Sequence, residues 1–142
     1  MSTRALIGLE NAEGTISVNY CHSDGYIKGG VGEKLLRHYQ SLPKIEELIA
    51  GGDISQLGWS IEAPEGHSFE TPAEGCTVFY MRDRGETNLE PCEYQGDRDF
   101  LQEAGDGVYY CYLYDGDWYV AEPRAEEWVL LASKLLEVVA NK

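Results

Sequence analysis

The chain has 142 residues, 43% apolar and 25% charged. That is the length and balance of one globular domain, not of a disordered chain, a collagen or a coiled coil. Its formal net charge of −14 leaves no basic face for nucleic acid or for an anionic membrane, and favours solubility or a basic partner. No run approaches the roughly 20 apolar residues of a membrane span, and the start Met1-Ser2-Thr3-Arg4 lacks a signal-peptide core, so a soluble intracellular protein is expected.

Ala5, Leu6, Ile7 and Leu9 make an apolar strand, and Asn11-Ala12-Glu13-Gly14 is turn chemistry with Gly14 able to take positive φ. Residues 15–21 then alternate, with Ile16, Val18 and Tyr20 on one side and Ser17, Asn19 and Cys21 on the other. A glycine-rich connection leads into a helix through about residue 40, whose stripe is Val31, Leu35, Leu36 and Tyr39. Pro43 opens a second helix to about residue 50, with Ile45, Leu48 and Ile49 inward and Gly51-Gly52 as its stop. Residues 53–75 read as loop with one short strand near 59–61. Residues 77–81 read as a strand and 83–96 as loop. Asp97 is placed as the cap of a helix over 98–104 closed by Gly105. Residues 108–114 and 117–121 form a hairpin through a type I′ turn at Asp115-Gly116. Pro123 ends it, and a last helix over 125–140 carries Trp128, Leu131, Leu135 and Val139 as its core stripe. The order implies one α+β domain over 1–142: a mainly antiparallel sheet of about five strands with helices packed on one face.

The acid is uneven. Residues 1–61 carry five Lys/Arg and seven Asp/Glu, residues 62–122 three Arg and fifteen Asp/Glu, and residues 123–142 three of each sign. Glu10, Glu13 and Glu47 therefore fall in the less acidic part. The central excess is either a solvated surface or a face that imitates a polyanion and grips a basic groove. In the second case its carriers are Glu86, Glu90, Glu93, Asp97, Asp99, Asp115 and Asp117.

The other chemistry-bearing patterns are weaker. Cys21, Cys76, Cys92 and Cys111 show no C-x-x-C spacing and no histidine at finger spacing, and read as small apolar fillers, so no metal or cofactor is expected. The loop Gly25, Lys28, Gly29, Gly30, Gly32 precedes a helix and could hold an anion on its amides, but lacks the P-loop spacing and a βαβ context. Its glycines equally serve a tight strand-to-helix passage. His22 lies between Cys21 and Ser23 near Asp24, where neighbouring side chains point to opposite faces and cannot form a triad. His38 and His67 have no recognisable partner. Arg82-Asp83-Arg84-Gly85-Glu86 reads as local ion pairs, or as an anchor for an acidic ligand. Tyr109, Tyr110, Tyr112, Tyr114, Trp118 and Tyr119 are core aromatics, with any exposed ones suited to protein contact.

Met1-Ser2-Thr3-Arg4-Ala5-Leu6-Ile7-Gly8, Tyr20-Cys21-His22-Ser23-Asp24-Gly25-Tyr26, Val31-Gly32 with Leu35-Leu36 and His38-Tyr39, Gly51-Gly52-Asp53-Ile54-Ser55-Gln56-Leu57-Gly58 and Arg82-Asp83-Arg84-Gly85-Glu86 together resemble a family of small uncharacterised proteins of bacteriophages and prophages. The likeness covers about the first 86 residues. It departs at Ile27-Lys28-Gly29-Gly30, where a Pro-containing segment is common. It implies no catalytic residue and a place in the bacterial host cytoplasm. Small acidic phage proteins often disable host defence by binding, as anti-restriction proteins, anti-CRISPR proteins or sponges for signalling nucleotides. The expected function is therefore a non-enzymatic inhibitor whose acidic face occupies the basic surface of a host nucleic-acid-binding defence complex, without binding nucleic acid itself. The alternatives are a binder of a nucleotide or signalling molecule at residues 25–32, and an enzyme using His22 or His67.

Overall fold

The computed structural model describes residues 3–104 and 107–140. The chain runs β1 (Arg4–Glu10), β2 (Ile16–Cys21), α1 (Val31–His38), α2 (Leu42–Ala50), β3 (Ile54–Gln56), β4 (Val78–Phe79), α3 (Tyr80–Arg84), β5 (Cys92–Tyr94), α4 (Asp97–Glu103), β6 (Val108–Tyr114), β7 (Trp118–Ala121), β8 (Val129–Leu130) and α5 (Leu131–Ala140).

Strand β1 is apolar on both faces, and this sets the architecture. Ala5, Ile7 and Leu9 point to one side, while Leu6 packs on the other, where Gly8 lies under Phe100. A strand covered twice belongs inside a sheet with elements on both faces. The strands form one mixed sheet in the order β4-β3-β2-β1-β6-β7-β8, with β5 also paired to β2. β1 and β2 make the expected hairpin, closed by the Gly14 N–H donating to Asn11 O at 2.9 Å with Gly14 at φ 93°. β6 and β7 make the second hairpin. The two hairpins join through β1 and β6, which run parallel from Ala5 opposite Tyr110 to Leu9 opposite Tyr114.

On the first face α1, α2 and α5 bury Val31, Leu35, Tyr39, Ile45, Leu48 and Leu131 against the sheet. The Trp118 indole N–H donates to Tyr39 O at 2.8 Å, and the Tyr112 hydroxyl to Gly25 O at 2.7 Å. These bonds satisfy the polar ends of buried aromatics and fix α1 to the sheet. On the second face α4 seats Phe100, Leu101 and Ala104 over Ile16, Val18, Cys111 and Leu113.

Several expectations are corrected. Among the described residues the sheet has eight strands and mixed pairing, not five mainly antiparallel strands, since β1–β6 and β2–β3 are parallel. The helices do not share one face, because the apolar far side of β1 and β2 takes α4. The strand expected over 77–81 stops at Phe79, where the Asp83 carboxylate accepts the Phe79 N–H at 2.8 Å and the chain turns into α3. Residues 59–61 supply only the isolated bridge Ser60–Cys76, while the expected loops hold β3 and β5. Helix α4 starts at Asp97, with Gly96 as the cap residue. The expected stop at Gly105 lies outside the described residues. Asp115 does not take the positive φ that a type I′ turn requires. The connection is instead three residues between Tyr114 and Trp118, with Gly116 at φ 120°. The last helix begins at Leu131, not 125: Arg124 sits at φ 65° and residues 129–130 pair with β7 first. Trp128 is therefore not on that helix. It packs against Phe100 in the second core, with ring centres 5.5 Å apart.

Candidate partner interface

The sheet register places the candidate acidic residues along one edge and one end. β5 runs beside β2 with Cys92 opposite Val18 and Tyr94 opposite Ile16. Glu93 lies on β5, and Glu86 and Glu90 on the segment leading into it. That segment is fixed where Asp53 N–H donates to Leu89 O at 3.0 Å and Glu86 N–H to Tyr80 O at 3.2 Å. Glu86, Glu90 and Glu93 thus follow the edge of the sheet.

Ile16 also marks the end at which both hairpins turn, because it faces Glu10 while Leu9 faces Tyr114. Asp97 follows Tyr94 by three residues at this end, Asp99 stands exposed two residues further along α4, and Asp115 and Asp117 form the β6–β7 tip. Neighbouring strands are about 4.8 Å apart, less than the ~8 Å Debye length, so the fields of charges on adjacent tips add.

The structure adds members that the sequence blocks concealed. A groove of about 500 Å³ at this end is lined by Glu10, Glu13, Leu42, Glu46, Tyr114 and Asp115, among others. Glu10 and Glu13 come from the less acidic part of the chain, yet they stand beside Asp115. All seven candidates are exposed, as are Glu10, Glu13 and Glu46. Glu86 pairs with Arg84 at 3.3 Å. The other described ion pairs use Glu33, Asp83 and Glu137.

The glycine loop is occupied by its own chain. The N–H groups of Val31, Gly32, Glu33 and Lys34, the first turn of α1, donate to the carbonyls of Asp24, Tyr26, Ile27 and Gly30 at 2.8–3.1 Å. Those are the donors an anion would need. The Glu33 carboxylate accepts the Gly29 N–H at 3.0 Å, and this bond and Arg37 hold its pKa below the usual range. A Cβ at Gly25, Gly30 or Gly32 would stand within 3 Å of backbone. Gly25, Gly30 and Gly32 therefore form a close-packed passage from strand to helix, while Lys28 and Gly29 stand exposed beside it and the first-turn amides of α1 are engaged within the chain.

The histidines are tied into structure. His22 Nδ1 lies 2.8 Å from the Tyr20 hydroxyl, while burial pushes the neighbouring Cys21 thiol up to about 12. Cys21, His22 and Ser23 do not assemble. His38 rests against Trp59. His67 has a partner that the sequence did not reveal: its side chain is fully buried, Nδ1 accepts the Ala73 N–H at 2.9 Å, and Nε2 lies 3.2 Å from Asp83. Burial pushes the Asp83 carboxyl up, but Arg82, the Phe79 N–H and His67 outweigh it and hold the pKa below the carboxylate range. This cluster ties the loop around residue 67 to α3. Arg84 over the Phe69 ring at 4.7 Å reinforces the tie. Arg82-Asp83-Arg84 is thus a local ion-pair device.

Among the described residues no group of His, Cys, Asp and Glu is arranged to hold a metal ion, and no helix is long and apolar enough to cross a membrane. Comparison with protein-family models, curated proteins and solved structures finds no match.

Proposed function

We propose that the protein is a phage-encoded, non-enzymatic inhibitor that presents carboxylates to the basic nucleic-acid surface of a host defence complex. The observation that carries this reading is the meeting of Asp115 with Glu10, Glu13 and Glu46 in one groove at the end where both hairpins turn, with Asp117 on the same β6–β7 tip and Asp97 three residues after Tyr94, flanked by Glu93 on β5 and by Glu86 and Glu90 on the segment leading into it. Most of these carboxylates are mounted on strands, turns and two helices seated by buried side chains, and Glu86 and Glu90 on a segment tied by backbone hydrogen bonds at Glu86 and Leu89. They therefore hold a fixed pattern, and less ordering entropy is lost on contact. The sequence likeness to phage proteins supplies the context.

The test compares two triple variants, each reversed to Lys. One carries changes at Asp97, Asp115 and Asp117. The other carries them at Glu62, Glu65 and Glu70, exposed positions before and around the His67 tie. Each reversal adds two charges, so both variants move the net charge from −14 to −8. Each new like-charge contact opposes binding by roughly 1 kcal/mol near 4 Å at the surface, so the first variant loses roughly a hundredfold in affinity for the defence complex. The second keeps its affinity and its protection of phage. Wild-type binding weakens steeply with salt. Equal loss in both variants, or binding indifferent to salt, overturns the reading.

A further inference from the structure

We infer that the outer edge of β5 is a strand-addition site, and that its occupant is an extended basic segment of a partner protein. The direction of the main chain carries the inference. The Tyr20 N–H donates to Asp53 Oδ1 at 3.0 Å and the His22 N–H to Ile54 O at 2.9 Å, so these residues point their main-chain groups to the side of β2 away from β1. Alternation along β2 sends the main-chain groups of Ile16 and Val18 to the same side. There Tyr94 and Cys92 of β5 stand opposite them. Glu93, between those two, therefore aims its N–H and C=O away from β2. Among the described residues no backbone or side-chain group bonds to either, and Cys92 and Glu93 are exposed. The β4 edge is different, because its own chain closes it. Asp83 accepts the Phe79 N–H at 2.8 Å, and Arg82 donates to Thr77 O at 3.0 Å.

The side chains decide which strand fits. Residues 86–99 carry five carboxylates and one cation, Arg98. A second copy pairing across a twofold axis at Glu93 would set Glu93 against Glu93, and like charges directly opposite are destabilising. A lysine or arginine opposite Glu93 instead exchanges both main-chain bonds with it and lays its cation on the same face, beside the Glu93 carboxylate. Pro91, just before β5, has no N–H to offer and bounds the edge. Main-chain bonds then supply the attraction, and alternate side chains supply the selection.

The inference rests on the proposed function in one respect, that the partner is basic. Its test uses the purified chain and a hexapeptide of alternating Lys and Val, with two isomers N-methylated either on every Lys or on every Val. All three carry the same charge, but only methylation on Lys blocks the edge that faces Glu93. In the free chain the Glu93 amide will exchange rapidly with solvent, while the Cys92 and Tyr94 amides are protected by β2. The parent peptide, titrated to about 5 mM and followed by NMR, will slow Glu93 exchange at least about tenfold. The Val-methylated isomer will do the same. The Lys-methylated isomer will bind at least about tenfold more weakly and leave the Glu93 amide fast, the loss of its main-chain bonds. Glu93→Lys will lose the parent peptide while Cys92 and Tyr94 stay protected. Equal binding of the two methylated isomers would mean attraction by charge alone, and overturns strand addition while leaving the proposed function standing. Failure of every peptide to bind also overturns it. So does a Glu93 amide already protected in the free chain, covered from within if sedimentation gives one-chain mass and by a second copy if it gives two. The contrast between isomers supports the edge even where the Asp97, Asp115 and Asp117 variant keeps its affinity, a result that sinks the proposed function alone.

Discussion

A single methyl group added at Gly8 probes whether α4 sits on the second face as described. A Cβ there would stand 2.8 Å from Phe100 Cε2 and 3.0 Å from Ile16 Cγ2. The Phe100 ring is fully buried and flanked by Tyr94 at 5.7 Å and Trp128 at 5.5 Å, so it has little room to withdraw. Gly8→Ala should destabilise by about 1–3 kcal/mol through overpacking. Phe100→Leu alone leaves a void and should cost less than the ~3–5 kcal/mol of truncating a buried Phe to Ala. In the double variant the new methyl occupies part of the vacated space, so the two costs should fall short of their sum by about 1–2 kcal/mol. Urea unfolding of the four proteins at 25 °C, followed by tryptophan fluorescence, measures this coupling. Additivity within about 0.5 kcal/mol would refute the packing of Phe100 on Gly8. The seat of the helix that carries Asp97 and Asp99 would then be wrong.

Native thiol labelling should separate the four cysteines. Cys92 and Cys76 should react with a disulfide reagent while the protein is folded. Buried Cys21 and Cys111, each pushed up to about 12 by burial, should react only on unfolding. Fast native labelling of all four would contradict the two cores. The lowered pKa of Asp83 predicts a pH signature. Its stabilising contribution is complete above the ordinary unfolded value of about 3.9 and is lost as pH falls through the lower folded value. The margin in urea midpoint of the wild type over Asp83→Asn should therefore shrink from neutral to strongly acid pH. A margin independent of pH would remove Asp83 as the charged partner of Arg82.

Both hairpins, α1, α2 and most of α4 were legible in the sequence because their signals are local: alternation in residues 15–21, Asn11 to Gly14 at a turn, helical spacing of Val31, Leu35 and Tyr39. The parallel pairing of β1 with β6 has no local signal, since Ala5 and Tyr110 are far apart along the chain. A hint lay in β1 itself, where Leu6 is as apolar as Ile7 and only one of them can face any single core. The last helix was misread because Trp128 and Leu131 have helical spacing, although one serves the second core and the other the first. The exposure of Asp97, Asp115 and Asp117 followed from their turn and helix-start positions. The company of Glu10, Glu13 and Glu46 did not, because counting charge by blocks of sequence ignores which turns the sheet brings together. The partner of His67 was hidden for the same reason: Asp83 reaches it only after α3 folds the chain back.

The parallel junction of β1 and β6 also governs when this molecule can be completed. The first hairpin can close as soon as residues 4–21 exist, yet the far edge of β1 stays open until residues 108–114 arrive. During synthesis at about 5–20 residues per second, that leaves an apolar strand edge waiting for several seconds. An unpaired edge of this kind is a template for another chain's strand. The heavy negative charge, carried mostly by the residues made between the two hairpins, repels neighbouring nascent copies over that interval. On this view the acid protects the chain during assembly before it meets any partner.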